Sequence, residues 1–364
     1  MKIAWIAPIN KKCGISYYAE NFYNELSKYI ELIRLDPYDF IKNKKAFVEN
    51  INKCDLVHIQ YETSLFVEKQ KNYYNEMCNE IKKKKIITLH EIYKTPPFVF
   101  PKEKIKGFFL SKIIKQYIWD LRHPHWAEFN KHCKKEFYGD YFLVHSELQK
   151  RILIEKGING SKVETILMPV ENIKTINTKE ESSLFMLGSM GFINPLYDYE
   201  LLFLVLERLT FNWRFYWIGG IRRKEDICIL EKIKENISKR GWEKRFIITN
   251  YVSKDEKEKY LSQLQMYFAF FKDRSSSMSL ADAISFQKII FATKISLIEE
   301  MYSKYHFCIL CDNDYQKILE NILKVINDES IKTNLKEACI RYCQDNNYNN
   351  LAHKLINIYK GFLL

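Results

Sequence analysis

The sequence predicts an α/β chain of two doubly wound domains, each a parallel sheet wrapped by helices. Three observations lead there. The chain has 364 residues, more than one core fills, since cores stop growing near roughly 250–300 residues. Short apolar runs alternate with longer stretches of helical period, the pattern of βαβ units. That alternation runs once, pauses near residues 169–183 and begins again.

Taken in order, the first half predicts strands at 2–7, 32–35, 56–60, 85–89 and 141–145, with a helix at 17–29. The opening Met1-Lys2-Ile3-Ala4-Trp5-Ile6-Ala7 is too short an apolar run for a secretory leader and reads as a first core strand. After Pro169, Val170-Glu171-Asn172-Ile173-Lys174-Thr175 shows no clear periodicity and marks the boundary. The second half predicts strands at 183–188, 214–219, 246–249, 266–271, 288–292 and 307–310, with helices at 199–209, 228–240, 254–264 and 278–283. Beyond Asp314 the pattern turns helical, at 315–326, 330–343 and 349–363. The expected domains are 1–168 and 183–340, with 341–364 a helix packing back on the first.

Composition narrows the class. A 47% hydrophobic and 28% charged chain with 11 Gly and 8 Pro is an ordinary folded protein with little room for flexible linkers. The net charge of +12 reflects either a Lys-rich background or an anionic partner such as nucleic acid, acidic lipid or a phosphorylated small molecule. The basic residues are diffuse and form no recognised nucleic-acid module, so nucleic acid ranks last. No window of ~18 uncharged apolar residues is present to span a bilayer. Nine cysteines, an odd number partly inside apolar runs, fit reduced thiols in a cytoplasmic protein. Cys308 and Cys311 form a lone C-x-x-C, and Cys339 and Cys343 have helical spacing instead of a second pair. Buried strand cysteines, not a metal site, are expected there.

In doubly wound domains ligands lie outside the carboxyl ends of the strands, so the loops after strands are where chemistry is sought. The first such loop, Pro8-Ile9-Asn10-Lys11-Lys12-Cys13-Gly14, opens a helix whose N-terminus favours an anion or sugar. One glycine is also what a plain tight turn needs. Asp312-Asn313-Asp314 could bind a hard cation. Its place before the closing helices fits a helix cap better. Over 102–126, lysines alternate with apolar residues from Phe108 to Trp119. That describes either an interfacial helix on an anionic membrane surface or an ordinary amphipathic helix packed on the first domain.

Several segments, in order, resemble glycosyltransferase family 4. They are Met1–Pro8 with Cys13-Gly14-Ile15-Ser16, then Asp55-Leu56-Val57-His58-Ile59-Gln60-Tyr61-Glu62, Thr88-Leu89-His90-Glu91 and Leu143-Val144-His145-Ser146. Gly191-Phe192-Ile193, Trp217-Ile218-Gly219-Gly220 and the stretch 275–283 with Asp282 follow, covering nearly the whole chain. The resemblance implies a GT-B fold, two Rossmann-like domains facing across a cleft. It implies retaining, metal-independent transfer of a hexose-type unit from a UDP- or GDP-sugar, the donor being a substrate and no cofactor being needed. The acceptor would be a membrane-linked or cell-surface glycan, and the location cytoplasmic, at the inner membrane face.

The same resemblance places the site. His90 would lie near the transferred sugar, Gly14 and Gly191 at the donor phosphates or sugar, and Asp282 on the ribose hydroxyls. Two departures matter. The family's cation after the first strand of domain two is replaced at about Tyr197, and the first acid of its E-x7-E element is Arg274. The segment reads Arg-x-Ser-Ser-x-Ser-Leu-x-Asp, so Arg274 or Lys272 is expected on the diphosphate, helped by Ser276, Ser277 and Ser279. His58 reads as core, and His145-Ser146 as either structural or facing the donor. The departures also admit a second reading, a non-catalytic partner subunit of another glycosyltransferase.

Overall fold

The computed structural model describes residues 1–11, 13–68, 71–92, 138–171, 173–174, 184–222 and 224–363. The basic stretch 102–126 lies outside the described residues. The chain divides into two compact units, Met1–Pro169 with Tyr348–Leu364, and Val170–Asn347.

The first unit opens with β1 (Lys2–Ile6), α1 (Gly14–Leu26), β2 (Glu31–Leu35), α2 (Pro37–Lys42), α3 (Lys44–Asn52) and β3 (Leu56–Tyr61). A short antiparallel pair, β4 (Val67–Glu68) and β5 (Lys71–Asn72), precedes α4 (Tyr74–Glu80), β6 (Lys85–Leu89), β7 (Tyr141–Val144), α5 (Glu147–Glu155) and β8 (Val163–Thr165). Six strands pair in the order β2-β1-β3-β6-β7-β8, every pair parallel. The central strands β1, β3 and β6 are buried along nearly their whole length, because helices cover a parallel sheet on both faces. The six residues of β3 are all buried.

The second unit repeats the plan with β9 (Phe185–Met190), α6 (Tyr199–Glu207), β10 (Trp213–Ile218), α7 (Ile227–Lys239), β11 (Phe246–Ile248), α8 (Lys254–Gln263) and β12 (Met266–Ala269). Then come α9 (Met278–Ser285), β13 (Ile289–Thr293), α10 (Ser296–Tyr305), β14 (Ile309–Cys311), α11 (Tyr315–Asn327) and α12 (Glu329–Asn346). Its sheet is also parallel and six-stranded, in the order β11-β10-β9-β12-β13-β14. The last helix, α13 (Tyr348–Leu363), returns to the first unit and packs on α1. Residue 341 lies inside the unbroken α12, so the returning segment starts at Tyr348.

Local chemistry sets the element ends. Ser253 and Glu256 form a reciprocal capping box that starts α8, and Asp36 with Asp39 does the same for α2. Asp314 accepts from the amides of Gln316 and Lys317 and caps α11, while Asp312 pairs with Lys294 at 2.6 Å. Cys308 and Cys311 are buried free thiols. No helix among the described residues is long and apolar enough to cross a membrane.

Candidate functional site

In each sheet the first strand has its successor on one side and a later strand on the other. In the second unit the chain leaves β9 toward β10 and later crosses to β12, so a gap opens between the loops after β9 and β12. Such a switch point is where doubly wound sheets take ligands. Two backbone contacts tie the loops together there: Lys272 N–H donates to the Leu196 carbonyl at 2.8 Å and Asp198 N–H to the Phe270 carbonyl at 2.7 Å.

Beside this gap the loops after β9 and β10 meet as bare backbone. Gly191 and Gly219 hold φ of +130° and +136°, which glycine adopts at little cost. A Cβ on Gly219 would stand 2.3 Å from the Gly191 carbonyl oxygen, so the two chains touch at this point. A Cβ on Gly191 would face Ser279 Oγ at 3.7 Å, which sets the N-terminus of α9 beside it.

Ser277 is the N-cap of α9. Its Oγ accepts from Leu280 N–H at 3.2 Å and lies 3.1 Å from Ser279 Oγ. Two hydroxyls and the positive end of the helix thus meet at one place, a setting for an anion. Ser277→Ala is expected to lower the urea stability of this unit by ~1 kcal/mol, as cap losses do.

The cations stand on the loop before α9. The Arg274 guanidinium lies 5.4 Å over the Phe271 ring, and its Nε is buried with no hydrogen-bond partner among the described residues. Its charge opposes the burial that pushes the Tyr267 phenol up to about 12. Lys272 is half exposed and 4.0 Å from an Asp198 carboxylate oxygen. Ser276 is partly buried on the same loop. Asp282, one turn into α9, pairs with Lys257 of α8 at 3.0 Å.

Tyr197 does not project into this gap. Its ring packs edge-on against Trp217, and its Oη lies 2.8 Å from Ser189 Oγ and 3.0 Å from the Phe268 carbonyl. The side chain is core, so this position places no charge at the site; Lys272 and Arg274 stand on the facing loop.

In the first unit Gly14 begins α1 and is exposed, with Cys13 Sγ accepting from Ser16 N–H at 3.4 Å. Ser16 Oγ donates to the Pro8 carbonyl at 3.1 Å and fixes the turn. His90 is buried, and both ring nitrogens are engaged: Nε2 lies 3.0 Å from Gln60 Oε1 and Nδ1 3.2 Å from His145 Nε2. A direct hydrogen bond from this ring to a sugar, as the sequence led us to expect, finds no nitrogen left to make it. Instead His90 is one link in a buried chain. His145 Nδ1 is 3.0 Å from the Ile166 carbonyl, Gln60 Nε2 is 3.2 Å from His58 Nε2, and His58 Nδ1 is 2.5 Å from Tyr359 Oη of α13. Ser146 is buried as the N-cap of α5, accepting from Gln149 N–H.

Sequence reasoning brought Gly191, Lys272, Arg274, Ser276, Ser277, Ser279 and Asp282 to one edge of one sheet; Gly14 and His90 belong to the other unit. It missed Lys257 as the partner of Asp282, because a 25-residue separation between two helices leaves no pattern. It also missed the contact between Gly219 and Gly191. The Gly219-Gly220 pair after a strand was the available signal.

No protein-family model matches the sequence, and no curated protein sequence matches it. Solved structures do match. The chain is similar to Anabaena HepE, a structure in complex with UDP and glucose, with TM-score 0.69 and 11% identity over 99% of this chain and 100% of that one. It is similar to sucrose-phosphate synthase from Thermosynechococcus elongatus, with TM-score 0.71 and 10% identity over 99% and 98%. A glycosyltransferase from Rickettsia africae gives TM-score 0.68 and 16% identity over 100% and 98%. At such identities the likeness establishes the fold: the chain has the GT-B architecture of glycosyltransferases, with two Rossmann-like domains.

Proposed function

We propose that the chain is a glycosyltransferase of the family 4 type that binds a UDP- or GDP-sugar in its second unit and transfers the sugar with retention. The observation that carries this is the loop that bears Arg274 and leads into the capped N-terminus of α9 at the β9–β12 switch point, with Gly191 beside Ser279. Transfer from a nucleoside diphosphate needs the departing diphosphate stabilised by donors already in place. Arg274, the α9 amides and the Ser277 and Ser279 hydroxyls supply them, Lys272 adds an exposed charge, and Asp282 accepts from the ribose. HepE, whose fold is similar, was solved with UDP.

In this reading the first unit offers its own sugar- or anion-binding loop at Gly14, and His90 is held by Gln60 and His145 instead of touching the sugar. Retention, metal independence, a membrane-linked or cell-surface glycan as acceptor, and a cytoplasmic site of action rest on the sequence resemblance.

A thermal-shift screen against UDP, GDP, ADP and their sugars tests the proposal. Saturating donor at ~100 times its Kd is expected to stabilise the fold by about 2.7 kcal/mol. Arg274→Ala is expected to weaken nucleotide binding by ~10-fold or more, since charged hydrogen bonds contribute roughly 1.5–3 kcal/mol. Failure of the whole panel to shift the melting temperature would sink the reading. The burial of Tyr197, which leaves no cation where the family carries one, favours a second reading as a non-catalytic partner subunit. Nucleotide binding without turnover of any sugar donor would select it.

A further inference from the structure

Asp282 is an acid in an enclosed place. Its side chain is 15% exposed, and Lys257, 18% exposed, is its ion-pair partner among the described residues. Lys257 Nζ donates to Oδ2 at 3.0 Å, while Oδ1 accepts no hydrogen bond among those residues. One carboxylate oxygen is therefore pinned, and the other has no donor among the described residues.

The helix presenting Lys257 is itself fixed. Its first turn is closed by the Ser253–Glu256 capping box. Lys254 pairs with Glu171 at 2.8 Å, and Lys174 with Glu258 at 3.1 Å. At its far end the buried Lys288 ammonium donates to the carbonyls of Ser262 and Leu264, at 2.9 and 2.7 Å. Lys257 is thus held on a braced support, in contrast to the free sweep of most surface lysines.

The charges around Asp282 are opposed. Burial pushes its carboxyl above the ordinary carboxylate range, Lys257 is the chief influence pulling it down, and Glu171 and Glu258 push with burial. Lys254 of α8 and the Tyr267 phenol of β12 also face it. Without Lys257 the remaining neighbours and the enclosure favour the protonated acid.

We infer that Lys257 is a positioning residue for the donor: by holding Oδ2 it keeps Asp282 ionised and leaves Oδ1 to the vicinal ribose hydroxyls of a nucleoside diphosphate. Each hydroxyl can donate one hydrogen bond to a carboxylate oxygen, and a protonated acid would serve them poorly. The inference rests on the donor-site reading given above. It adds that selection of ribose over deoxyribose depends on a residue that touches no substrate.

Calorimetric titration of the full chain with UDP, GDP and their 2′-deoxy forms, between pH 5.5 and 8, tests it in the wild type, Lys257→Met and Lys257→Arg. The wild type is expected to prefer the ribose form by ~10-fold or more, as loss of a charged hydrogen bond predicts. In Lys257→Met the ribose nucleotide should weaken by up to about tenfold for each pH unit below the new titration point of Asp282. The ribose preference should vanish over the same range, and Lys257→Arg should restore both. Circular dichroism of each variant checks that the unit is folded. Two results would overturn the inference: a Lys257→Met profile and preference equal to the wild type, or an equal loss for ribose and deoxyribose forms at every pH. A wild type that binds neither nucleotide would overturn the donor-site reading, and this inference with it. A wild type that binds while Lys257→Met is unchanged overturns the inference alone.

Discussion

Gly219→Ala is expected to destabilise the second unit by about 3–5 kcal/mol and to abolish the proposed nucleotide binding. The added carbon would lie 2.3 Å from the Gly191 carbonyl oxygen and 3.0 Å from its carbon, and both are backbone atoms. Neither can step aside cheaply. Gly191 N–H donates to the Ile218 carbonyl at 3.0 Å, and its own carbonyl accepts from Trp217 Nε1 at 3.1 Å. Gly219 N–H is held as well, by Thr249 Oγ1 at 3.1 Å. The clash adds to the strain of a side chain at φ +136°. Gly241→Ala is the control. It also has positive φ, +65°, but a Cβ there meets nothing within 4 Å. It should cost only about 1–2 kcal/mol, the ordinary left-handed penalty, and leave binding intact. Urea unfolding followed by hydrogen exchange in each unit measures both. Equal losses for the two alanines would show that the Gly191–Gly219 contact does not matter.

Much of this architecture is legible in the sequence because buried parallel strands must be apolar throughout. The expected strand at 85–89 coincides with β6, and the helix expected at 254–264 with α8 to within one residue. Elements governed by other signals are not legible. The sixth strand of the first sheet, β8, has three residues and a charged centre, Glu164, too short for any period to register. The helices α2 and α3 abut at Asn43, which caps the second, so their patterns run together. In the site, chain-local features are readable: a glycine after a strand, and a serine before a helix. Features made by distant residues are not. The sequence resemblance would have a cation at Tyr197, yet nothing local tells that its ring turns inward to Ser189 and Trp217. His90 follows a strand as a site residue would, but its engagement depends on Gln60 and His145, each brought to it by sheet order.

Acid should unfold the first unit before the second, and the buried histidine chain is the reason. The Ile166 carbonyl can only accept, so His145 Nδ1 carries a proton and Nε2 accepts. Its donor is His90 Nδ1–H, which leaves His90 Nε2 as an acceptor. Neutral rings can continue the chain only if the Gln60 amide turns its NH2 toward His90 and its oxygen toward His58 Nε2–H, which Thr88 Oγ1 at 2.7 Å also accepts. The two ends of an amide are alike in shape, so the turn costs no space. The Tyr359 hydroxyl then donates to His58 Nδ1 and closes the sequence. Burial favours this neutral order, holding His58 down at about 3, His145 at about 4 and His90 well below its usual value. The sign follows. Between the unfolded value near 6.5 and those folded values, the unfolded chain binds protons that the folded chain refuses, so stability falls as pH falls. Each imidazole should remove roughly 2 kcal/mol between pH 7.5 and 5. Three of them approach the whole stability of a typical domain. Because Tyr359 belongs to α13, the contact of that helix with His58 should be among the first lost. Hydrogen exchange read separately on the two units, from pH 7.5 to 4.5, should show the first losing protection while the second retains it. His58→Asn should flatten the slope by about one third, one imidazole of the three. An equal pH response in both units would mean that these rings are protonated without cost, and the one-way neutral chain could not stand.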